Sequence, residues 1–225
     1  MLNPSEQDPL NVKSTTPSVS RRDVLGVAAA SALLPWTSSA QAAVELEGVE
    51  LPETTTAYGQ KLVLNGAGVR KRGYFKADVT ALYLPEKRTT PDAIYKLNGI
   101  RRIQLNILRE FTSSTITRIF LADFKQSANE DEFKRLIGPI GQIGAAYASV
   151  KRVSKGDVVN LDWVPGVGWM ATHNGKALTT DGGATLSIND ELAYQVYLRM
   201  YIGQNAPEEL RNGLLGLTRL PRAND

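Results

Sequence analysis

The sequence predicts an α+β fold in which a mainly antiparallel β-sheet is covered on one face by a layer of helices. Segments with the two-residue alternation of strands stand in blocks, and segments with a helical period of 3.6 residues form blocks of their own. This arrangement differs from the regular exchange of single strands and helices that is typical of parallel sheets. Asn-Gly and Pro-Gly pairs separate several strand-like segments and favour antiparallel hairpins.

Residues 1–42 are predicted to be an export signal and are excluded from the fold. Arg21 and Arg22 precede a weakly apolar run at residues 24–34, and the segment Ala40-Gln41-Ala42 matches a small-x-small cleavage site. The paired arginines indicate twin-arginine export, and an ordinary secretory signal with chance arginines is the alternative. Either route predicts that residues 43–225 form one exported domain, in the periplasm or otherwise outside the cytoplasm.

The composition excludes several classes of function. The formal net charge of +3 comes from a small imbalance, so no nucleic-acid binding is expected. The chain has no cysteine, and its single histidine, His173, cannot build a metal cluster and is expected to be solvated beside an Asn-Gly turn. No cofactor is expected, since phosphate loops and dinucleotide fingerprints are missing from the sequence. After residue 42 no apolar run approaches the roughly 20 residues of a transmembrane helix.

The first half of the domain is predicted to consist mainly of strands. Residues 44–51 alternate weakly and predict an edge strand that ends at Pro52. Residues 61–64 and 69–84 predict hairpin-like strands joined by a turn at Asn65–Gly68, with an interruption of the second segment near Gly73. Pro91 opens a short helix to Leu97, and the next strand covers residues 100–108.

Two helices are predicted next. The first is capped by Thr112, Ser113 or Ser114 and buries Ile116, Ile119 and Phe120. The second has Asn129 as its cap and runs to Val150, with a kink at Pro139. Three glycines on the second helix allow either close packing on the sheet or a neighbouring ligand cavity: Gly138, Gly141 and Gly144.

The last part of the chain is predicted to be a three-stranded meander followed by two helices. The meander covers residues 158–179, with turns at 165–168 and 174–175. Asn189 is expected to cap a helix that ends at Gly203, and residues 207–215 form a final short helix.

The stretch from Leu62 to Leu84, with the sequence LVLNGAGVRKRGYFKADVTALYL, places Arg70 among apolar and small residues. An arginine in such surroundings usually meets an anion. The NGAGVR turn and the aromatic-rich strand that ends in LYL resemble the first core hairpin of the chalcone isomerase family. The resemblance covers about residues 48–216 and implies an open-faced β-sandwich, with Arg70 at the family's ligand-binding arginine.

The same resemblance implies two different chemistries. Chalcone isomerase closes a ring by adding a phenolate to an enone, and the family uses an arginine together with tyrosine, asparagine and threonine side chains. In this chain Asp78 stands at the threonine position, and the segment 112–121 lacks the tyrosine and the asparagine. These departures favour a non-catalytic protein that binds a fatty acid or similar amphipathic anion, as the family's fatty-acid-binding branch does. The alternatives are a chalcone-flavanone-type isomerase, acting on a phenolic ligand, and an envelope partner-binding domain without a small ligand.

Four residues are the candidates for ligand binding: Arg70, Asp78, Tyr74 and Tyr83. If Arg70 faces Asp78 across the hairpin, the pair either binds a ligand or fixes the register of the two strands, and both interpretations stay open. Tyr74 and Tyr83, together with Phe75, Trp163 and Trp169, are the aromatic candidates to line a cleft, although aromatic residues on alternating strands usually belong to the core. No catalytic residue is assigned, and the sequence specifies neither the ligand nor the oligomeric state.

Overall fold

The computed structural model describes residues 43–180 and 182–222, so the predicted export signal lies outside the described residues. The described chain forms a mixed structure of antiparallel sheet and six helices, which confirms the predicted α+β class. The elements, in chain order, are β1 (Ala43–Leu46), β2 (Val49–Pro52), β3 (Thr54–Ala57), β4 (Gln60–Arg72), β5 (Phe75–Leu84), α1 (Pro91–Tyr95), β6 (Arg101–Ile107), β7 (Phe111–Thr112), α2 (Ser113–Ser127), α3 (Glu130–Arg135), α4 (Ile137–Ser149), β8 (Arg152–Val153), β9 (Val158–Val164), β10 (Gly168–His173), β11 (Lys176–Ala177), β12 (Ser187–Ile188), α5 (Glu191–Ile202) and α6 (Glu208–Leu214).

The main sheet has eight strands and every pairing in it is antiparallel. Its order is β11-β10-β9-β6-β5-β4-β3, and β12 pairs with β10. Neighbouring strands are therefore consecutive in the chain except for the pair β10 and β12 and the pair β6 and β9, between which α2, α3 and α4 are inserted. The chain leaves the sheet after β6 and returns to it at β9, and these two strands lie near its centre. The helices between them therefore lie across the middle strands.

The two faces of the sheet carry different layers, since successive side chains of a strand point to opposite sides. On β5, Leu82 and Leu84 pack with the helices in the larger core. Val79, Ala81 and Tyr83 point to the other face, where they join a smaller core with Leu51 of the β1–β2 hairpin. Between Val79 and Leu84, a residue of β5 therefore meets the helical layer only if its number is even.

The predicted turn at Asn65–Gly68 is wrong, because these residues lie inside the long strand β4. Asn65 is an inserted residue where the register with β5 shifts, and its side chain donates to the carbonyl oxygen of Leu214 at 2.7 Å. Gly66 lets α6 lie directly on the strand, since a Cβ at Gly66 would stand 2.1 Å from the carbonyl oxygen of Gly213. The chain reverses at Gly73 instead, which has a φ of 58°.

The predicted edge strand at residues 44–51 is also wrong, because it is a hairpin of two short strands. Glu47 and Gly48 form its two-residue turn, with φ angles of 53° and 74°. Positive φ at both central residues is the geometry of a tight hairpin turn. The hairpin folds Leu51 onto the smaller core, so this segment closes one face of the sheet rather than extending its edge.

The helices follow the predictions with two corrections. Thr112 and Asn129 cap α2 and α3, as predicted. Instead of the predicted kink at Pro139, the helix is interrupted at Leu136, between α3 and α4. Proline has no backbone N–H to donate to the preceding turn. Pro139 lies in the first turn of α4, where that donor is not needed. The cap of α5 is Asp190 rather than Asn189, because the Asp190 carboxylate accepts from the backbone N–H of Leu192 at 3.0 Å.

The glycines of α4 fit neither of the two interpretations given to them. A Cβ at Gly138 or Gly141 would meet open space, so these residues neither pack on the sheet nor line the cavity described below. Gly144 faces α2, where an added Cβ would lie 3.9 Å from the Thr117 methyl group. Gly138 and Gly141 therefore lie on the exposed side of α4, and Gly144 lies on the side that faces α2.

Candidate functional site

A cavity of about 80 Å³ lies between the helical face of the sheet and helices α2, α4 and α5. Its sheet wall is formed by alternating apolar residues of the central strands, among them Leu105, Ile107 and Val159. Ile116 and Phe120 of α2 face this wall. These residues were predicted as the buried face of α2, so the apolar lining follows from the periodicities of the strands and the helix.

Arg70 and Asp78 line one part of this cavity and form a close ion pair. They are directly opposite each other in the β4–β5 register. Arg70 Nε donates to Asp78 Oδ2 at 2.8 Å and Nη2 lies 2.7 Å from the same oxygen. Thr80 Oγ1 donates to Asp78 Oδ1 at 2.6 Å, so both carboxylate oxygens are bound. The Arg70 side chain is 17% exposed and the Asp78 side chain is 1% exposed, so the carboxylate is buried and the guanidinium is half-buried.

Helix α5 adds two tyrosine hydroxyls to the pair. Arg70 Nη1 donates to the Tyr201 hydroxyl at 3.3 Å, and the guanidinium carbon lies 5.4 Å from the centre of the Tyr201 ring. The hydroxyls of Tyr201 and Tyr197 are 2.8 Å apart and share a hydrogen bond. Tyr147 of α4 also lines the cavity. The arginine, the carboxylate and the phenols therefore form one polar cluster on a mostly apolar wall, whose other charged or polar residues are Arg72 and His173.

Burial controls the ionisation of this cluster. Burial alone would lower the pKa of Arg70, but the Asp78 carboxylate opposes that effect and the pKa of Arg70 is raised overall. Burial raises the pKa of the Tyr147, Tyr197 and Tyr201 hydroxyls, and the positive charge of Arg70 offsets this only in part. At neutral pH the Arg70 guanidinium is therefore charged and the three phenols are neutral.

The structure places the four predicted ligand-binding residues in different regions. Arg70 and Asp78 line the cavity. Tyr74 lies at the turn between β4 and β5 with its side chain fully exposed. Tyr83 is buried on the opposite face of the sheet, because its odd number directs it away from the helices, and it donates to the Pro52 carbonyl oxygen at 3.1 Å. The candidate site therefore contains Arg70 and Asp78 but neither of these tyrosines.

The other aromatic candidates also lie outside the cavity. Phe75 is exposed, and the Arg109 guanidinium stacks on it at 4.0 Å. Trp163 and Trp169 pack against Tyr194 of α5 in the larger core, with ring centres 6.1 and 5.7 Å from it. Their interpretation as core residues is confirmed.

The polar residues that the sequence did not suggest are Tyr147, Tyr197 and Tyr201. Tyr197 and Tyr201 belong to the buried face of α5. A usable signal was present, since Tyr194, Tyr197 and Tyr201 recur at helical spacing and a buried phenol usually needs a hydrogen-bond partner. The sequence could not show which of these hydroxyls meets Arg70: Tyr194 instead donates to the carbonyl oxygens of Arg101 and Leu161.

His173 lines the part of the cavity formed by β10 and is largely covered, so its expected solvation is wrong. Its Nε2 lies 2.8 Å from Asp157 Oδ2. The same carboxylate accepts from Asn174 Nδ2 at 2.9 Å and from the backbone N–H of Ser154 at 2.8 Å. Asp157 thus fixes both the imidazole and the turn at the end of β10.

We expect Asp157→Ala to lower the free energy of unfolding at pH 7, and we expect this loss to become smaller as the pH falls. The hydrogen bond from Asn174, followed by those from Ser154 and His173, outweighs partial desolvation and lowers the pKa of Asp157 to about 2. A carboxylate with a lowered pKa stabilises the fold above its unfolded pKa, about 3.9, and loses this effect as the pH falls through the folded value. Urea unfolding of both proteins between pH 7 and pH 2.5 measures the difference.

The matched variant for this experiment is Asp157→Asn, which keeps the shape and one acceptor oxygen but removes the charge. It should lie between the wild type and Asp157→Ala at pH 7. Its difference from the wild type should shrink toward pH 2.5, while its difference from Asp157→Ala should stay the same, because neither variant titrates at this position. A difference from the wild type in the free energy of unfolding that stays constant from pH 7 to pH 2.5 would show that the carboxylate contributes by packing alone.

Two further findings concern the described part of the chain. Within residues 43–180 and 182–222, no group of three or more histidine, aspartate or glutamate side chains is placed to hold a metal ion. No helix in these ranges is both long enough and apolar enough to cross a membrane.

The structure has an antiparallel sheet with a helical layer on one face, and Arg70 lies beside a cavity between the sheet and the helices. The chalcone isomerase resemblance predicted this architecture and this position of the arginine. The chain belongs to the chalcone isomerase-like family, whose family model matches residues 43–216. The predicted resemblance is therefore confirmed over nearly the whole described chain.

Among solved structures, a fatty-acid binding protein from Arabidopsis thaliana has a similar fold. The TM-score is 0.58, the sequences are 13% identical, and the match covers 77% of this chain and 95% of that protein. At this identity the likeness concerns the fold alone. A search of curated proteins finds no match.

Proposed function

We propose that this chalcone isomerase-like protein is an exported, non-catalytic binding protein. Its ligand is a fatty acid or a similar amphipathic molecule, whose polar head lies at Arg70 and whose apolar chain lies against the sheet. The observation that carries this proposal is the division of the cavity wall into one hydrogen-bonded polar cluster around Arg70 and an apolar surface formed by residues such as Leu105, Ile107 and Phe120. The fatty-acid binding protein of similar fold supports the same ligand class.

The state of the polar groups supports binding rather than catalysis. Ring closure needs a phenolate on the substrate and groups that stabilise the developing charge. Asp78 is occupied by Arg70 and Thr80, and the raised pKa values of Tyr197 and Tyr201 keep these hydroxyls from acting as bases at neutral pH. Export is supported by the paired arginines and the cleavage pattern of residues 1–42.

The cavity sets a limit on ligand size. Its volume of about 80 Å³ is well below the ~300–1,000 Å³ of sites that enclose drug-sized ligands. A short acyl chain is therefore the best fit to the present arrangement of α2, and a long chain requires the side chains of α2 to move away from the sheet. Ile119, which lines the cavity without being fully buried, is positioned to control this space.

We expect native mass spectrometry of the protein, purified from its own compartment, to show a removable small-molecule adduct. The mass of the polypeptide should correspond to a chain that begins at Ala43. The adduct should disappear after extraction with organic solvent and have the mass of a short or medium-chain acid. A bare protein with no affinity for any acid would contradict the binding proposal and favour a partner-binding domain. Turnover of a chalcone would contradict the non-catalytic assignment.

Two variants of α2 test whether the adduct occupies the cavity. After extraction, the protein is reloaded with straight-chain acids from six to sixteen carbons. Ile119→Ala enlarges the cavity and should shift the preferred length toward longer acids. Leu121→Ala removes an exposed side chain of the same helix that lies outside the cavity, and it should leave the preference unchanged. Equal preferences in both variants would place the ligand elsewhere.

A further inference from the structure

The ionisable side chains that face the cavity are balanced in charge. From the sheet, Arg70 is paired with Asp78, and the Arg72 guanidinium binds both carboxylate oxygens of Asp123 on α2. His173 on β10 is held by Asp157. The other titratable residues at this surface are three phenols, contributed by α4 and α5: Tyr147, Tyr197 and Tyr201. Each arginine that lines the cavity thus has its own carboxylate.

The Arg70 cluster still has hydrogen-bond donors available for a ligand. A guanidinium carries five N–H groups, and the contacts with Asp78 and Tyr201 use three of them. Tyr147, Tyr197 and Tyr201 bring three hydroxyl protons, and the hydrogen bonds of Tyr197 with Tyr147 and with Tyr201 use two of them. One proton of the three phenols therefore remains for a further acceptor. The acceptor capacity is smaller, because both oxygens of Asp78 are already bound.

We propose that Asp78 makes this site selective for an uncharged head group that accepts hydrogen bonds, such as a protonated carboxyl, an amide or a ketone. The inference rests on the proposed binding function and defines its ligand more narrowly. Since Asp78 cancels the charge of Arg70, a ligand carboxylate would add a net negative charge to a mostly apolar cavity. Burying a charge without a counter-charge is costly, and the group takes up a proton instead. A fatty acid is therefore bound as the acid.

The test compares octanoic acid with octanamide, which has a similar shape and no charge. Isothermal titration of the extracted full protein measures both dissociation constants at pH 5 and pH 8. Octanamide should bind equally at the two values. Octanoic acid should bind at least tenfold more weakly at pH 8, because the protonated fraction of the free acid falls. Octanoic acid that binds equally at both values would overturn the inference and leave the binding function intact. Failure of both compounds to bind would overturn both.

Three variants assign the effect to Asp78. Asp78→Asn removes the cancelling charge, and octanoate at pH 8 should gain at least tenfold in affinity while octanamide changes less than threefold. Asp162→Asn makes the same change in the ion pair with Arg102 on the opposite face of the sheet and should give no gain. His173→Gln removes the imidazole from the cavity wall. In this variant octanoic acid should still bind more weakly at pH 8 than at pH 5. If Asp78→Asn does not fold, the binding of octanoic acid and octanamide to the wild-type protein at pH 5 and pH 8 still tests the inference.

Discussion

Gly66→Ala is expected to lower the free energy of unfolding by about 3 kcal/mol or more. The new Cβ would stand 2.1 Å from the carbonyl oxygen of Gly213 and 2.8 Å from that of Leu214. Both atoms belong to the backbone of the α6 region, so no side-chain rotation can remove the overlap. Helix α6 would have to move away from β4 and take Leu210 and Leu214 out of the larger core. Urea unfolding monitored by circular dichroism measures the loss.

The matched control is Gly141→Ala on α4, where an added Cβ meets open space. Alanine is favoured over glycine within a helix by about 1 kcal/mol, so this variant should be as stable as the wild type or slightly more stable. The two variants add the same methyl group, and their difference isolates the close approach of α6 to β4. A loss below 1 kcal/mol for Gly66→Ala would show that α6 is not held tightly against the strand.

The same glycine explains why part of the fold could not be predicted from sequence. Asn65-Gly66 has the composition of a tight turn, and local rules assign it to one. The glycine is instead required by α6, which lies almost 150 residues later in the chain, as the Asn65–Leu214 hydrogen bond with its sequence separation of 149 shows. Local composition cannot distinguish a glycine that turns the chain from one that admits a distant helix.

Elements that depend on local interactions were predicted well. The caps at Thr112 and Asn129 bind backbone groups within three residues. The meander of β9, β10 and β11 follows from its Pro-Gly and Asn-Gly turns. The exception is the hairpin turn at Glu47–Gly48, where a glutamate adopts the positive φ that the turn favours in asparagine, aspartate or glycine.

The candidate site was predicted only where its members are close in sequence. Arg70 and Asp78 are eight residues apart and face each other in one hairpin, so their pairing could be anticipated. Tyr201 is 131 residues from Arg70, and its contact depends on how α5 packs across the sheet. Tyr83 is not part of the site because its side chain faces away from the helices. The inserted residue at Asn65 and the two-residue period of the strands decide which side chains of the hairpin face the helices.

Arg70→Ala is expected to lower the free energy of unfolding by about 3–5 kcal/mol and to abolish ligand binding. The substitution leaves the Asp78 carboxylate, which is 1% exposed, with the Thr80 hydroxyl but without its counter-charge. The loss therefore reflects an uncompensated buried charge as well as the missing contact. The double variant Arg70→Met/Asp78→Leu removes both charges and should be more stable than Arg70→Ala. Thermal and urea unfolding of the three proteins measure these differences.

A variant of the Arg102–Asp162 pair distinguishes an effect of Arg70→Ala on stability from an effect on ligand binding. It joins β6 to β9 through two hydrogen bonds of 2.8 Å, and its side chains are 12% and 1% exposed, close to the values for Arg70 and Asp78. It lies on the face of the sheet opposite the cavity, beside Tyr83. Arg102→Ala should therefore cost a similar free energy of unfolding but leave the affinity for octanamide within about twofold, since the cavity is untouched. If instead Arg70→Ala and Arg102→Ala reduce the affinity equally, the loss would come from a general loosening of the sheet, and Arg70 would be a structural residue only.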